Sequence, residues 1–494
     1  MSPTRQRSMQ ILFVVSLVSV FGVTLCYAET IWEKRQKAIN PEAQPKVEQK
    51  AEEITEPDTY DYDEEDMAMP AEQVTLNPTD PFNITVPAAY GTVIDSYKGT
   101  NGKLIIHIQD AHANYEAQKN EANIIESLIN SYGIKLVLQE GGSTDANFKY
   151  LRTWAPLEER KEKADKLLRE AVITGEEYLT IASNYPMDFQ GIEDKNLHDT
   201  QTNAMWEIDT FKDAALEYVN KVSDVAQKVK EKLYSQDLLS LDKARKDYEN
   251  EKIDLLAYYK ALNDLVQKKT INIDEFTHFK NLIKIDDLEK KIDFVKINSD
   301  TATDEQKNLY EEYQDTLKNL NVSELFREES PLESKILGAI SENQDQKELI
   351  KISKALSILE KMLRIKLVPE EYEYFLNNKK DFEPREWADF LKKKSEELSL
   401  NLDIPSNSYA ISDNMPKLEK FFGIAEERDK VFVNKTGDAM EKDNVKAAVL
   451  IAGGFHTPKL TQLLNEQGYS YVVISPKVTT PTDDTLYREA LKRK

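Results

Sequence analysis

Cysteine, histidine and positive charge are all scarce in this chain. Cys26 is the only cysteine in 494 residues, so the sequence excludes an internal disulfide. Lys and Arg number 65 against 88 Asp and Glu, which gives a formal net charge of -23. Such a charge repels nucleic acid and anionic membrane surfaces, so neither is expected as the main partner. A cationic ligand or a divalent metal is compatible with it.

The first 28 residues have the pattern of an export signal. Arg5 and Arg7 precede an apolar stretch at 11–25, and the small-x-small segment Cys26-Tyr-Ala28 follows it. This pattern predicts a signal peptide over 1–28. An uncleaved N-terminal anchor is the alternative, because the apolar stretch is near the lower length limit for spanning a bilayer. In both cases the remaining chain is expected to be exported to the periplasm or another extracytoplasmic space, with membrane contact only through an uncleaved anchor.

Residues 29–85 are rich in Glu, Asp and Pro and show no apolar periodicity. A segment of this composition cannot bury enough apolar surface to offset the entropy lost on folding. The sequence therefore predicts a disordered acidic linker over 29–85.

Beyond the linker, strand-like and helix-like patterns alternate. Residues 91–97 and 103–109 predict two strands that form a hairpin turning at Asn101-Gly102. The other predicted core elements are a helix at 114–132 between Asn114 and Gly133, strands at 134–138, 187–192, 446–451 and 469–474, and a helix at 458–466. Strands separated by helices are typical of an α/β fold with a mostly parallel sheet and flanking helices.

The middle of the chain has a different, helical periodicity. Apolar residues from Ile208 to Leu233 recur at three- and four-residue steps and predict one long amphipathic helix, and similar stripes follow it. Such stripes are typical of the core-facing sides of packed helices rather than of a cofactor-binding segment. The sequence thus predicts an α/β core in two halves, 86–198 and 426–494, interrupted by a large all-α insertion at 199–425.

Polar side chains follow four of the predicted strands. They are Asp110 and His112, Glu140, Glu193, and His456. Because the carboxyl ends of parallel strands meet at one edge of a sheet, we expect these side chains to converge. Taken singly, each would be an ordinary turn or packing residue. Their repeated placement instead predicts a site for proton transfer or for a divalent metal.

His456 is followed by a helix-start signal. Thr457 is a good N-cap residue and Pro458 suits the first helical position. The positive end of the helix dipole would then disfavour protonation of the imidazole. The sequence therefore predicts a neutral His456, the form that ligates metals or accepts protons.

Five segments carry a family resemblance in the right order along the chain. They are Gln109-Asp-Ala-His112, Glu140-Gly-Gly142, Gly191-Ile-Glu193-Asp194, Glu427-Arg428-Asp429 and Gly453-Gly-Phe-His456. This pattern resembles the superfamily that contains TraB and TIKI proteins, erythromycin-esterase-like enzymes and the haem-binding protein ChaN. Gln109-Asp110 stands where that superfamily has Gly-Glu, so the carboxylate is shorter here.

The resemblance implies roles for six residues. Glu140, Glu193 and Arg428 would be catalytic, with Arg428 as an oxyanion partner, while Asp110, His112 and His456 would hold a divalent metal such as Mn, Co or Zn. TIKI-like relatives are metal-dependent proteases, and erythromycin-esterase-like relatives hydrolyse a lactone. The leading hypothesis is therefore an exported hydrolase of peptide or ester bonds, acting on an unidentified peptide or small molecule.

Three alternatives accompany this hypothesis. The chain could be a non-catalytic protein that binds haem or another ligand, as ChaN-like relatives do. It could instead be a cell-envelope interaction protein that meets a protein partner through the helical insertion. Arg428 could form an ordinary helix-surface ion pair with Glu427 or a nearby acid.

Overall fold

The computed structural model of the chain describes residues 80–142, 155–185, 187–250, 252–298 and 301–480. The predicted signal peptide and most of the predicted linker lie outside these ranges. Residues 80–85 are described: Asp80 caps a short 3-10 turn at Pro81–Asn83, and Ile84 is 1% exposed. In the part of the chain that the structure describes, no helix combines the length and the apolar character needed to cross a membrane.

Six strands form one mostly parallel sheet, which confirms the predicted α/β class. The strands are β1 (Gly91–Tyr97), β2 (Leu104–Asp110), β3 (Leu136–Gln139), β4 (Asp188–Gly191), β5 (Ala447–Gly453) and β6 (Ser470–Pro476). Their order is β1-β6-β2-β5-β3-β4. Only the edge strand β1 is antiparallel to its neighbour, and β2 and β5 are central.

The predicted hairpin between β1 and β2 is wrong, because β6 lies between these two strands. Residues 471–474 are fully buried, so β6 needs a neighbour on each side and cover on both faces. The connection from β1 to β2 passes around the end of β6. There the N–H groups of Thr100 and Asn101 donate to the Gly468 carbonyl at 2.8 and 2.9 Å.

Helices cover both faces of the sheet. One face packs against α1 (Tyr115–Tyr132), with α2 (Leu157–Arg169) and α3 (Gly175–Ala182) behind it. The other face packs against α16 (Met415–Lys442) and α17 (Thr457–Glu466). The predicted cap of α1 is confirmed: Asn114 accepts a hydrogen bond from the Ala117 N–H at 3.0 Å, and Gly133 ends the helix in the left-handed conformation.

In the described residues between β4 and α16 there are twelve further helices. They are α4 (Lys195–Asp209), α5 (Lys212–Leu233), α6 (Gln236–Glu249), α7 (Leu255–Lys269), α8 (Thr277–Glu289), α9 (Phe294–Asn298), α10 (Asp304–Lys318), α11 (Val322–Ile340), α12 (Gln344–Leu363), α13 (Pro369–Asn377), α14 (Pro384–Glu397) and α15 (Tyr409–Ser412). The predicted boundaries at 198/199 and 425/426 fall inside α4 and α16.

Residues 212–233 of the long helix predicted from Ile208 to Leu233 form one helix, α5, whereas Ile208 belongs to the preceding helix α4. The helical conformation is interrupted at Phe211, which has φ -123° and ψ -10°. The Thr210 hydroxyl donates to the Glu207 carbonyl at 2.6 Å, so a side chain rather than a later backbone N–H bonds this carbonyl at the end of α4. The apolar spacing continues across this break because α4 and α5 bury their apolar sides in the same core.

The helical region contains two separate apolar cores. Helices α6–α11, residues 236–340, build one core by themselves, and we call this part the nested unit. Helices α4, α5 and α12–α15, with the start of α16, build the other. The two connections of the nested unit are close together, since the Gln346 side-chain amide donates to the Leu233 carbonyl at 2.9 Å.

The ends of β3 and β4 approach so closely that only glycine fits at Gly191. A Cβ atom there would lie 2.1 Å from the backbone carbonyl of Gly142.

We expect Gly191→Ala to lower the free energy of unfolding by about 1–3 kcal/mol or more, because the backbone must move to make room for the added methyl group. Urea unfolding measures this change. Gly338→Ala in α11 is the control, since a Cβ atom added there would meet nothing within 4 Å and the same substitution should stabilise that helix slightly. Equal effects of the two substitutions would contradict the expected contact.

Candidate functional site

The sheet brings the predicted site residues to one edge. Asp110 pairs in register with Gly453, and Gln139 pairs with both Ile451 and Gly191. The carboxyl ends of β2, β3, β4 and β5 therefore lie side by side. Asp110, His112, Glu140, Glu193 and His456 extend from these four strand ends.

Arg428 of α16 connects two of these strand ends. Its Nε and Nη2 donate to the two carboxylate oxygens of Glu193 at 3.1 and 2.5 Å, and Nη2 also donates to Glu140 at 2.8 Å. Its Nη1 contacts the side-chain oxygen of Gln201 on α4. Arg428 is 5% exposed, so the alternative of a helix-surface ion pair with Glu427 is wrong.

Glu140 has a partner for each carboxylate oxygen. Oε2 accepts from the Gly453 N–H at 2.8 Å, while Oε1 meets Arg428 and lies 3.3 Å from Nε2 of His456. Burial alone would raise the pKa of Glu140, but the charges of His456 and Arg428 outweigh burial and hold the pKa well below its usual range. Glu140 is therefore a fixed anion at neutral pH.

His456 lies between two carboxylates. Its Nδ1 is 2.6 Å from Asp429, and its Nε2 faces Glu140. Burial lowers the pKa of His456, yet the charges of Glu140 and Asp429 outweigh burial and raise the pKa to about 10. The prediction of a neutral imidazole is therefore wrong, because two nearby carboxylates act more strongly than one helix terminus.

The start of α17 also differs from the prediction. His456 itself occupies the N-cap position, and Thr457 is the first helical residue. The Thr457 hydroxyl instead lies 2.8 Å from Nε2 of His107 and 3.1 Å from the side-chain amide of Gln109. His107 is fully buried, and burial lowers its pKa to about 4, so this histidine is a neutral structural residue.

Asp429 and Gln201 complete the network, and the sequence reasoning assigned no role to either. The helical pattern of α16 contained a signal for Asp429. Ala425, Arg428, Asp429 and Phe432 follow the i, i+3, i+4, i+7 spacing of one buried face, so two charged residues occupy positions where apolar ones are expected. Burial raises the pKa of Asp429, and the charge of His456 opposes this increase. Gln201 of α4 had a comparable signal, because it shares the i, i+3, i+7 spacing of a buried face with Ala204 and Ile208.

Asp110 and His112 form a second contact at the same edge. Nδ1 of His112 is in contact with one carboxylate oxygen of Asp110, and the other oxygen accepts from the Gln118 amide at 2.5 Å. The side chain of Asp110 is 2% exposed, whereas that of His112 is 28% exposed. Ala113, the next residue, has φ +59°, a conformation that costs roughly 1–2 kcal/mol for a residue with a Cβ atom. Such strain often marks a functional turn.

The three predicted metal ligands do not surround a common point. Asp110 and His112 contact each other, while both ring nitrogens of His456 face the carboxylates of other residues. Among the residues that the structure describes, no three His, Cys, Asp or Glu side chains are arranged to hold one metal ion. The described geometry thus does not fit the predicted ligand set, and the divalent metal stays a prediction.

Two buried glutamates lie behind Asp110. Glu121 of α1 and Glu176 of α3 are both fully buried, and no well-formed hydrogen bond reaches their carboxylate oxygens within the described residues. Burial raises the pKa of both groups, and that of Glu121 is raised more. The charges of Glu176 and Asp110 raise the pKa of Glu121 further, and the charge of Asp110 also raises the pKa of Glu176. A proton shared between the two carboxyl groups gives each of them a hydrogen-bond partner, because a protonated carboxyl can donate to its ionised neighbour.

The charge of His456 makes stability depend on pH. Because the folded pKa of about 10 exceeds the ordinary 6.5, this contribution is fully present below pH 6.5 and is lost as pH rises through 10. We therefore expect His456→Gln to destabilise the protein more at pH 6.5 than at pH 9.5 in urea unfolding. The control is His198→Gln, because His198 lies on the outer part of α4. A destabilisation by His456→Gln that stays constant over this range would contradict the charged imidazole.

The glutamate pair should have its own pH dependence. Since the folded pKa of Glu121 is raised, its stabilising protonated form is fully present below pH 4.5 and is lost as pH rises towards the folded value. We expect Glu121→Gln to be more stable than the wild type at pH 8 and to differ little from it at pH 4.5, by urea unfolding. Glu162→Gln, at an exposed position of α2, is the control. A Glu121→Gln variant that is less stable than the wild type at pH 8 would contradict the shared proton.

Comparison of the chain with protein-family models, curated proteins and solved structures finds no match. The likeness of the strand-end segments to the TraB, TIKI and ChaN superfamily therefore stays a prediction. The site is therefore described by the contacts among its own residues. It consists of a buried network of Glu193, Arg428, Glu140, His456 and Asp429, with the Asp110–His112 pair beside it at the same edge of the sheet.

Proposed function

We propose that this protein is a hydrolase of peptide or ester bonds in which His112 activates the attacking water. The observation that supports this proposal is the contact between Nδ1 of His112 and the buried carboxylate of Asp110. A ring N–H donated to Asp110 leaves the lone pair on Nε2, which is the arrangement of a general base. His112 also keeps 28% of its side chain accessible, so water and a substrate can reach it.

The buried network is proposed to position the site rather than to touch the substrate. The guanidinium of Arg428 donates to Gln201, Glu140 and Glu193, which differs from the predicted role of an oxyanion partner in direct contact. Arg428 and His456 hold Glu140 ionised in a fixed place. Glu140 in turn lies close enough to His112 for the two side chains to interact electrostatically.

The proposed reaction needs a single base that later acts as an acid. Nε2 of His112 takes a proton from water while the resulting hydroxide adds to the carbonyl carbon of the substrate. The N-terminal end of α17 favours the negative charge that develops on the carbonyl oxygen. When the intermediate collapses, His112 returns the proton to the leaving nitrogen or oxygen and the scissile bond breaks.

The substrate class and the location are proposed from the sequence. Peptide and ester bonds follow from the family resemblance, and export follows from the N-terminal pattern at 1–28. Divalent metal would supply Lewis-acid chemistry if it were bound, and no step above depends on it. The haem-binding alternative would need an axial ligand other than His456, which has carboxylates at both ring nitrogens. The third hypothesis, a partner that binds the helical insertion, has no specific contact in its favour.

The proposal predicts that His112→Asn removes hydrolysis. We expect the full chain to hydrolyse at least one member of a panel of peptide anilides and aryl esters, and kcat to fall roughly 100- to 10,000-fold in His112→Asn because the general base is lost. Asp110→Asn should lower kcat with little change in KM, because it changes the tautomer of His112. Initial rates, with and without chelator and with added Mn, Co or Zn, measure both effects.

His278→Asn provides the matched control for this experiment. His278 lies in α8 of the nested unit and accepts from the Asn321 N–H at 3.1 Å, outside the strand-edge site. Its substitution should leave kcat unchanged. A panel that the wild type leaves uncleaved, or a His112→Asn variant with full activity, would overturn the proposed function. A chelator-sensitive activity restored by one metal would instead support the metal-dependent form of the hypothesis.

A further inference from the structure

The contact between the nested unit and α12 and α13 contains many charged side chains. Each side of this contact has its own apolar core, so the charged groups are not needed to complete either one. Arg245 of α6 lies 2.7 Å from Glu333 of α11, and the Tyr258 hydroxyl donates to Glu333 at 2.6 Å. Lys361 of α12 is in contact with Glu371 of α13. Polar contacts between separately packed units are common places for ligands to bind.

Lys354 differs from Arg245 and Lys361 at this contact because, among the described residues, it forms no ion pair with a carboxylate. Its ammonium group donates to the hydroxyl oxygens of Ser330 and Ser334 on α11 at 3.2 and 3.4 Å. It also lies 3.9 Å from the centre of the Tyr374 ring. Among the described residues, Lys354 makes no ion pair within 4.0 Å. The lysine is half-buried, so its positive charge is only partly compensated by water.

The electrostatics around Lys354 agree with this geometry. Burial lowers the pKa of Lys354, the charges of Arg245 and Lys361 add to this effect, and the charges of Glu333 and Glu371 oppose it. The two glutamates are, however, already paired with Arg245 and Lys361. Among the described residues, Lys354 is therefore a cation of this contact whose ammonium group meets hydroxyls and a ring rather than a carboxylate.

We propose that Lys354, Ser330 and Ser334 form a binding site for a small oxyanion, a carboxylate or phosphate group, at the contact between the nested unit and α12. The two serine hydroxyls accept from Lys354, and within the described residues neither hydroxyl hydrogen is donated elsewhere. An oxyanion beside the ammonium group would accept from all three side chains. Lysine binds such groups as a point charge, and hydroxyl donors add direction.

The location gives the bound anion a structural role. Ser330 and Ser334 belong to α11 of the nested unit, and Lys354 belongs to α12 of the other helical core. A ligand that contacts both helices stabilises their contact and so limits movement of the nested unit. This site is separate from the strand-edge site, and its occupation does not depend on the proposed hydrolase activity.

Amine labelling of the full chain tests the proposal. Lys354 is labelled at pH 8 with acetic anhydride while inorganic phosphate or acetate is increased at constant ionic strength, and each lysine is quantified by peptide mass spectrometry. We expect saturable protection of Lys354 and unchanged labelling of Lys351, which lies on the outer side of the same helix. The double variant Ser330→Ala, Ser334→Ala should bind the anion roughly tenfold more weakly or worse, because hydrogen bonds to charged groups are lost.

Each outcome of this experiment supports or overturns the site. Phosphate that protects Lys354 at lower concentration than acetate identifies a phosphate group as the ligand, and the reverse order identifies a carboxylate. Protection that does not saturate, that extends equally to Lys351, or that is unchanged in the double serine variant overturns the proposal. Isothermal titration of phosphate into the Lys354→Met and Lys351→Met variants provides a second measurement. Binding that survives Lys354→Met also overturns it.

Discussion

The strand-edge site depends on one buried arginine. Arg428 holds the carboxylates that extend from β3 and β4 and also contacts Gln201 of α4. A guanidinium can do this because it carries five N–H donors in a rigid plane and stays charged when buried. Removing the arginine would leave two carboxylates close together without a compensating charge, and an uncompensated buried charge strongly destabilises the folded protein. The contacts of Arg428 thereby fix the position of α16 relative to the sheet and to α4, the first helix after β4.

The same burial that makes Arg428 important also determines the protonation states around it. In a site where water is excluded, the nearest charge matters more than the dipole of a helix end. His456 therefore remains charged between Asp429 and Glu140, and Glu140 remains ionised beside two cations. His112 is more exposed and contacts the carboxylate of Asp110, and we propose it as the base. Two histidines at one sheet edge thus receive different roles from their surroundings.

The helical region is organised on a different physical basis. Most residues of each of its two apolar cores come from one set of helices, and charged and hydroxyl side chains occupy part of the contact between them. Such a contact contributes less stability than an apolar one of equal size, because ion pairs that keep access to water are weak. The nested unit is therefore packed mainly around its own core, and charged side chains lie at its contact with α12 and α13. Among the described residues, Lys354 is a cation of this contact whose ammonium group meets two hydroxyls and a ring rather than a carboxylate.

Local patterns in the sequence determined the elements, and long-range contacts decided their partners. Alternating apolar residues and caps such as Asn114 and Gly133 are local properties, so the strands, α1 and the insertion were predictable. The pairing of β1 with β6 was not, because burial of β6 on both faces is a property of the whole sheet. The strand-end residues were predictable from the parallel-sheet rule, but Asp429 and Gln201 come from helices distant in sequence. Protonation follows from these distances, so only the tertiary structure decided the charge of His456.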